Sequence, residues 1–213
     1  MRFALGLVLS VAFAFTTSFA QTGHSHHSSG AANCPAGIDV KGDSALQTVT
    51  LPPTQKCSTT SKNGFLVPDP NCTPGAANPS LTLAILKDPS FTTKCVRDKA
   101  TKPQEKSKTY HLYQLTKPAN NSGQTQTCEL DHLVSLELGG ADTLDNIWPQ
   151  CGPSHVALAK RFFKRKDTVE NFLAKQVRDG KMTLADAQKG IATDWTQFLD
   201  EAEKQCPGGN CGH

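Results

Sequence analysis

The sequence predicts an α+β fold: a loop-rich, disulfide-tied N-terminal part followed by a mainly helical C-terminal third. Three observations predict it. Short segments between Cys34 and Pro70 are punctuated by Pro and Gly, which leaves room for brief strands and turns only. After Ser154 apolar residues recur at helical spacing. Eight cysteines are spread along the chain, the first at Cys34. With 213 residues, 37% hydrophobic and 19% charged, the chain suits one domain with a flexible arm. That composition excludes a highly charged disordered chain and a membrane bundle, and a net charge of +3 does not by itself imply nucleic acid.

Residues 1–20 read as an export leader. Met1-Arg2 gives a positive start, Phe3 to Phe15 is apolar apart from Gly6 and Ser10, and Ser18-Phe19-Ala20 offers a small-residue cleavage site. The apolar run is too short to span a bilayer comfortably. Cleavage would leave 193 residues and a net charge of +2, because Arg2 is lost. Residues 21–33 form a polar arm in which His24, His26 and His27 are a weak transition-metal collector or a tail without a role.

Residues 34–127 are expected to form the disulfide-tied part. Leu46 to Leu51 alternates like a strand that Pro52-Pro53 stops, and Pro79 to Leu86 suggests a helical turn capped by Ser80. Thr109 to Tyr113 fits a strand or a short helix end. Cys34, Cys57, Cys72, Cys95, Cys128, Cys151, Cys206 and Cys211 suggest four disulfides in an exported chain; no Cys-x-x-Cys supports zinc, and the pairing is left open.

Residues 128–205 hold the core, ahead of a tail at 206–213. A helix is expected over Ser154 to Asp179, with Val169, Phe172, Leu173 and Val177 on one face and Gly180 ending it. Thr183 to Asp186 resembles a capping box, followed by a stripe of Leu184, Ala187, Ile191, Trp195, Phe198 and Ala202 that reads as core contact. The modest total charge conceals two basic stretches. Lys87 to Lys108 carries seven Lys/Arg against three acids, and Ser154 to Lys181 eight against three. Either is a solvated face or a polyanion contact.

The residues that carry chemistry lie between Glu129 and Gln150. Asp131 precedes His132 directly, so a carboxylate and an imidazole leave one strand end together. Neighbours on a strand point to opposite faces, so sharing a site requires a bend there. Gly139-Gly140 would let the following loop fold back, and Asn146 could brace it. An Asp can hold a hard cation, and a neutral His can take a proton from water. Phosphodiester hydrolysis needs both.

Asp131-His132, the Leu-Glu-Leu-Gly-Gly loop and Asn146-Ile147-Trp148-Pro149-Gln150, with Glu170-Asn171 downstream, resemble the HNH endonucleases of the ββα-metal (His-Me finger) group and the related non-specific DNA/RNA endonucleases. The resemblance spans about Glu129 to Leu173; Ser135 departs from it, standing where Pro is common. It implies a hairpin followed by a helix around one divalent cation, Mg²⁺ foremost, with Mn²⁺, Ca²⁺ or Zn²⁺ as alternatives. It makes His132 the general base, Asp131 a metal ligand and Asn146 the residue that orients His132. Glu170, then His155, then Asn171 are its candidates for a further ligand. Lys164, Arg165, Lys166 and Arg161 would hold phosphates without reading bases. Trp148 reads as a core anchor.

The expected function is therefore a secreted, or periplasmic, metal-dependent endonuclease. Its partner would be DNA, RNA or both, and it would act as a monomer away from membranes. The alternatives are a binding protein that kept the fold without turnover, and a disulfide-rich structural or interaction protein.

Overall fold

The computed structural model describes residues 34–40, 56–97 and 108–211. The expected leader, the His-rich arm, the strand at Leu46 to Leu51 and part of the first basic stretch lie outside the described residues. The fold is α+β with four disulfides: Cys34–Cys95, Cys57–Cys72, Cys128–Cys151 and Cys206–Cys211.

The N-terminal part is slight. Strands β1 (Thr60–Lys62) and β2 (Phe65–Val67) form a small antiparallel hairpin in which Thr60 faces Val67. Helix α1 (Leu83–Leu86) is a single turn. Its cap is Thr82, whose hydroxyl accepts from the Ile85 amide, and not the expected Ser80. Ser80 is committed elsewhere: its hydroxyl donates to Asn78 at 2.7 Å and accepts from the Asp39 amide at 2.9 Å. Residues 108–112 are helical, the second of the two expected forms.

The site-bearing unit is a hairpin followed by a helix. Strand β3 (Cys128–His132) pairs antiparallel with β4 (Ile147–Cys151), from Cys128 opposite Cys151 to His132 opposite Ile147. The Cys128–Cys151 disulfide closes the outer end of that ladder. Asp131 faces Trp148 and Glu129 faces Gln150 across the strands, so all four side chains leave the same surface of the hairpin.

Helix α2 (Phe162–Arg178) begins eight residues after the expected Ser154. The chain first folds back on the hairpin's end, where the Phe162 amide donates to Gly152 at 3.0 Å, and only then turns helical. Phe163, Lys166, Val169, Leu173 and Val177 make its buried face. Gly180 adopts the left-handed φ of 73° that ends a helix, and Lys181 closes the motif by donating to Gln176 at 2.9 Å.

Helix α3 (Leu184–Asp194) starts at Thr183, whose hydroxyl accepts from the Asp186 amide at 3.1 Å. Helix α4 (Leu199–Gln205) follows after a 3₁₀ turn. Ala187, Ile191, Trp195 and Ala202 are fully buried and pack with Val169 and Leu173 of α2, with Leu184 and Phe198 at the margin. The stripe is core. Val134 and Leu138 join the same cluster, so the loop between the strands is anchored from beneath. Among the described residues, no helix is long and apolar enough to cross a membrane.

Candidate active site

Asn146 builds the loop that carries the site. It is fully buried; its side-chain oxygen accepts from the Val134 amide at 2.9 Å, and its nitrogen donates to Val134 and Ala141 carbonyls, both at 2.8 Å. A side chain can bring backbone this close only if nothing intervenes. A Cβ on Gly140 would lie 1.8 Å from the Val134 carbonyl oxygen, so glycine is required there. Asn146 thus acts on the loop's shape and touches no titratable group of the site.

The loop delivers Asp142 to His132. The His132 Nε2 lies 2.7 Å from Asp142 Oδ1. A carboxylate only accepts, so Nε2 carries a proton, and in the neutral imidazole Nδ1 is the acceptor. No described residue hydrogen-bonds Nδ1. Both side chains are largely buried, at 11% and 4% exposure, which strengthens the pairing. Sequence reading did not single out Asp142. The available signal was weak: an acid inside a loop that Asn146 folds back.

Asp131 and Glu170 converge on a lysine. Lys166, with no exposed side-chain surface, places Nζ 2.9 Å from Asp131 Oδ2, 2.7 Å from the His132 carbonyl oxygen and against Glu170 Oε1. Trp148 Nε1 donates to the same Asp131 oxygen at 3.1 Å, which makes this buried ring both an anchor and a partner. Burial pushes the Lys166 ammonium down, but Asp131 and Glu170 outweigh it and hold the lysine above its ordinary value. Burial pushes both carboxyls up against the pull of Lys166. One ammonium serves two buried acids, and Glu170 carries the stronger upward shift.

These residues border a cleft of about 270 Å³, lined by Glu129, Asp131, Glu137, Asp167 and Glu170 with His132. Arg97 and Thr93 approach it from the N-terminal part. Burial, then the charges of Asp131 and Asp167, push the Glu129 carboxyl up to about 7 against Lys164 and Gln126. Burial also raises Glu137. Glu129 is therefore partly neutral near pH 7, which makes the cleft less repulsive to a phosphate than its number of acids suggests.

The ligand set implied by the resemblance does not fit as a metal centre. His155 is exposed on the chain beyond β4. Asn171 donates to Gly209 at 3.1 Å and so ties down the C-terminal segment. Asp131 and Glu170 share Lys166. Among the described residues, no group of three or more His, Cys, Asp and Glu is placed to hold a metal ion.

The four cations expected to hold phosphates form no exposed strip. Lys164 pairs with Asp167 at 2.7 Å and lies 4.0 Å from Glu129. Arg165 pairs with Glu203 and lies 5.3 Å over the Phe65 ring. Arg161 is buried at 5% exposure and donates through Nη2 to Gln124 at 3.0 Å, and its Nε and Nη1 find no partner among the described residues. Lys166 points inward. Of the expected residues, the structure gathers His132, Asp131 and Glu170 around one cleft, with Asn146 behind them. Comparison with protein-family models, curated proteins and solved structures finds no match to this chain.

Proposed function

We propose that this chain is an exported endonuclease that hydrolyses phosphodiester bonds of DNA or RNA with little sequence preference. The observation that carries the reading is the His132–Asp142 pair at the edge of the cleft. In the neutral imidazole this pairing puts the proton on Nε2 and leaves Nδ1 as the acceptor, with a carboxylate that would stabilise the imidazolium as it forms.

In this mechanism Nδ1 of His132 takes a proton from water, the water oxygen bonds to phosphorus, and the phosphorus–oxygen bond to the departing strand breaks, its oxygen taking a proton from solvent water. Arg97 lines the cleft and Lys164 lies 4.0 Å from Glu129 at its border, so these two cations would meet an incoming phosphate. Asn146 keeps the loop, and with it Asp142, in place. A divalent cation would add charge stabilisation of the phosphate oxygens. The side chains assigned to it are engaged elsewhere, and no step is routed through it. Low sequence preference follows from the absence of any resemblance to a base-reading module. Four disulfides and the leader-like N-terminus support export.

One observation favours a second reading, a protein that kept the architecture without turnover: Lys164, Arg165 and Lys166 are all committed to internal acids. A single assay separates the two. Wild type and His132→Ala, both checked for folding by circular dichroism, are incubated with plasmid DNA and with RNA, with and without chelator. Nuclease action predicts cleavage by wild type and at least about a hundredfold loss in the variant. Near-normal cleavage by His132→Ala, or none by wild type under any condition, overturns it.

A further inference from the structure

We propose that the Lys166 ammonium is the resident cation of this site, holding Asp131, Glu170 and the His132 carbonyl together so that no divalent ion bridges the two carboxylates. The inference rests on the nuclease reading only for the choice of site; the contacts stand by themselves.

An ammonium has three N–H donors, and this one has three acceptors: Asp131 Oδ2 at 2.9 Å, the His132 carbonyl oxygen at 2.7 Å and Glu170 Oε1. Its hydrogen-bonding capacity is complete, and none of its side chain is exposed. The Asp131 oxygen it uses also accepts from Trp148 at 3.1 Å, so an entering ion would have to displace two donors there. Mg²⁺ usually binds through one or two carboxylates and keeps several waters, so bridging these two acids through the oxygens that face the ammonium would require displacing it.

Lys166 cannot easily step aside. It lies on the buried face of α2 three residues from Phe163 and from Val169, both fully buried. Expelling the ammonium into that surrounding would leave a buried charge without a partner. The bond to the His132 carbonyl gives the arrangement a functional consequence. It ties the helix to the backbone of the imidazole-bearing residue, which makes Lys166 a positioning residue for His132.

The test is calorimetric titration of Mn²⁺ into the full exported chain, as wild type, Asp131→Asn and Glu170→Gln. The expected result is either no Mn²⁺ complex or one whose affinity is unchanged in both variants. Weakening by about tenfold or more in either variant overturns the proposal. If the variants do not fold, ¹⁵N spectra of wild-type lysine ammonium groups decide. The slowly exchanging Lys166 signal should stay put on addition of Mg²⁺, and its shift or loss overturns the proposal. Nuclease activity is scored separately: a wild type that cuts nothing sinks the hydrolase reading and leaves the ion result standing.

Discussion

The segment 56–97 and the unit 128–178 are held together by different means. In the first, all three residues of β1 are exposed, α1 is one turn long, and Cys57 and Cys72 sit with Tyr113, Leu133 and Trp148 in a small cluster. Covalent links carry much of that part. In the second, Asn146 and Lys166 are fully buried and Asp131 nearly so, and each is hydrogen-bonded. Buried polar groups are costly unless paired, so this unit is specified by individual hydrogen bonds and not by apolar area alone. The difference predicts where single atoms matter.

The largest effect is expected from Asn146→Ala. It removes three side-chain bonds and strands the Val134 amide and the Val134 and Ala141 carbonyls in the interior. The expected loss is about 3–4 kcal/mol, read from urea unfolding, with nuclease activity falling as Asp142 loses its place. A loss under about 1 kcal/mol would mean that the loop is held from beneath by Val134 and Leu138 alone. Replacing Cys57 and Cys72 together by Ala should cost somewhat less, about 2–3 kcal/mol for a disulfide spanning 15 residues. Cleavage at low temperature should survive, because no cleft residue belongs to that loop. Equal damage to activity from both changes would erase the distinction between the two regions.

How much was legible in the sequence follows the same division. The α2 face and the α3–α4 stripe were readable because helical spacing reports burial directly, whereas the hairpin was expected only through the resemblance, since the burial of its strands does not alternate. Charge reports no direction. Lys166 was grouped with Lys164 and Arg165 as a phosphate contact, yet it stands three residues before Val169 and seven before Leu173, on the apolar stripe itself. The pattern marked it as an inward lysine, and the run of basic neighbours masked that. Asp142 had no periodic context, since a loop places its residues through tertiary bonds such as those of Asn146. Ser80 failed as a start signal because a capping residue type marks a helix start only if its hydroxyl is free to cap, and Asn78 and the Asp39 amide already use that one.

The smallest effect concerns pH, and it again separates the two regions. Asp88, the acid of the first segment with a shifted carboxyl, is lowered by hydrogen bonds from Ser90 at an exposed turn. Four acids of the second are shifted the other way: Glu129 is pushed up from 4.5 to about 7, and Asp131, Glu137 and Glu170 also rise. A raised carboxyl means that the folded chain binds the proton more tightly than the unfolded chain. The resulting stabilisation is full below the unfolded value and is lost as pH rises through the folded one, here between 4.5 and about 7 for Glu129. With solvent screening of its partly exposed side chain, Glu129 should account for about 1–2 kcal/mol of stability lost from pH 5 to 8. Glu129→Gln keeps the hydrogen-bonding shape without the titration, so its urea midpoint should fall less over that range. The decline should not vanish, because the other raised acids act with the same sign. Parallel midpoint curves for wild type and Glu129→Gln would show that Glu129 titrates as an ordinary surface acid, and would place the pH response on the Asp131–Lys166–Glu170 cluster instead.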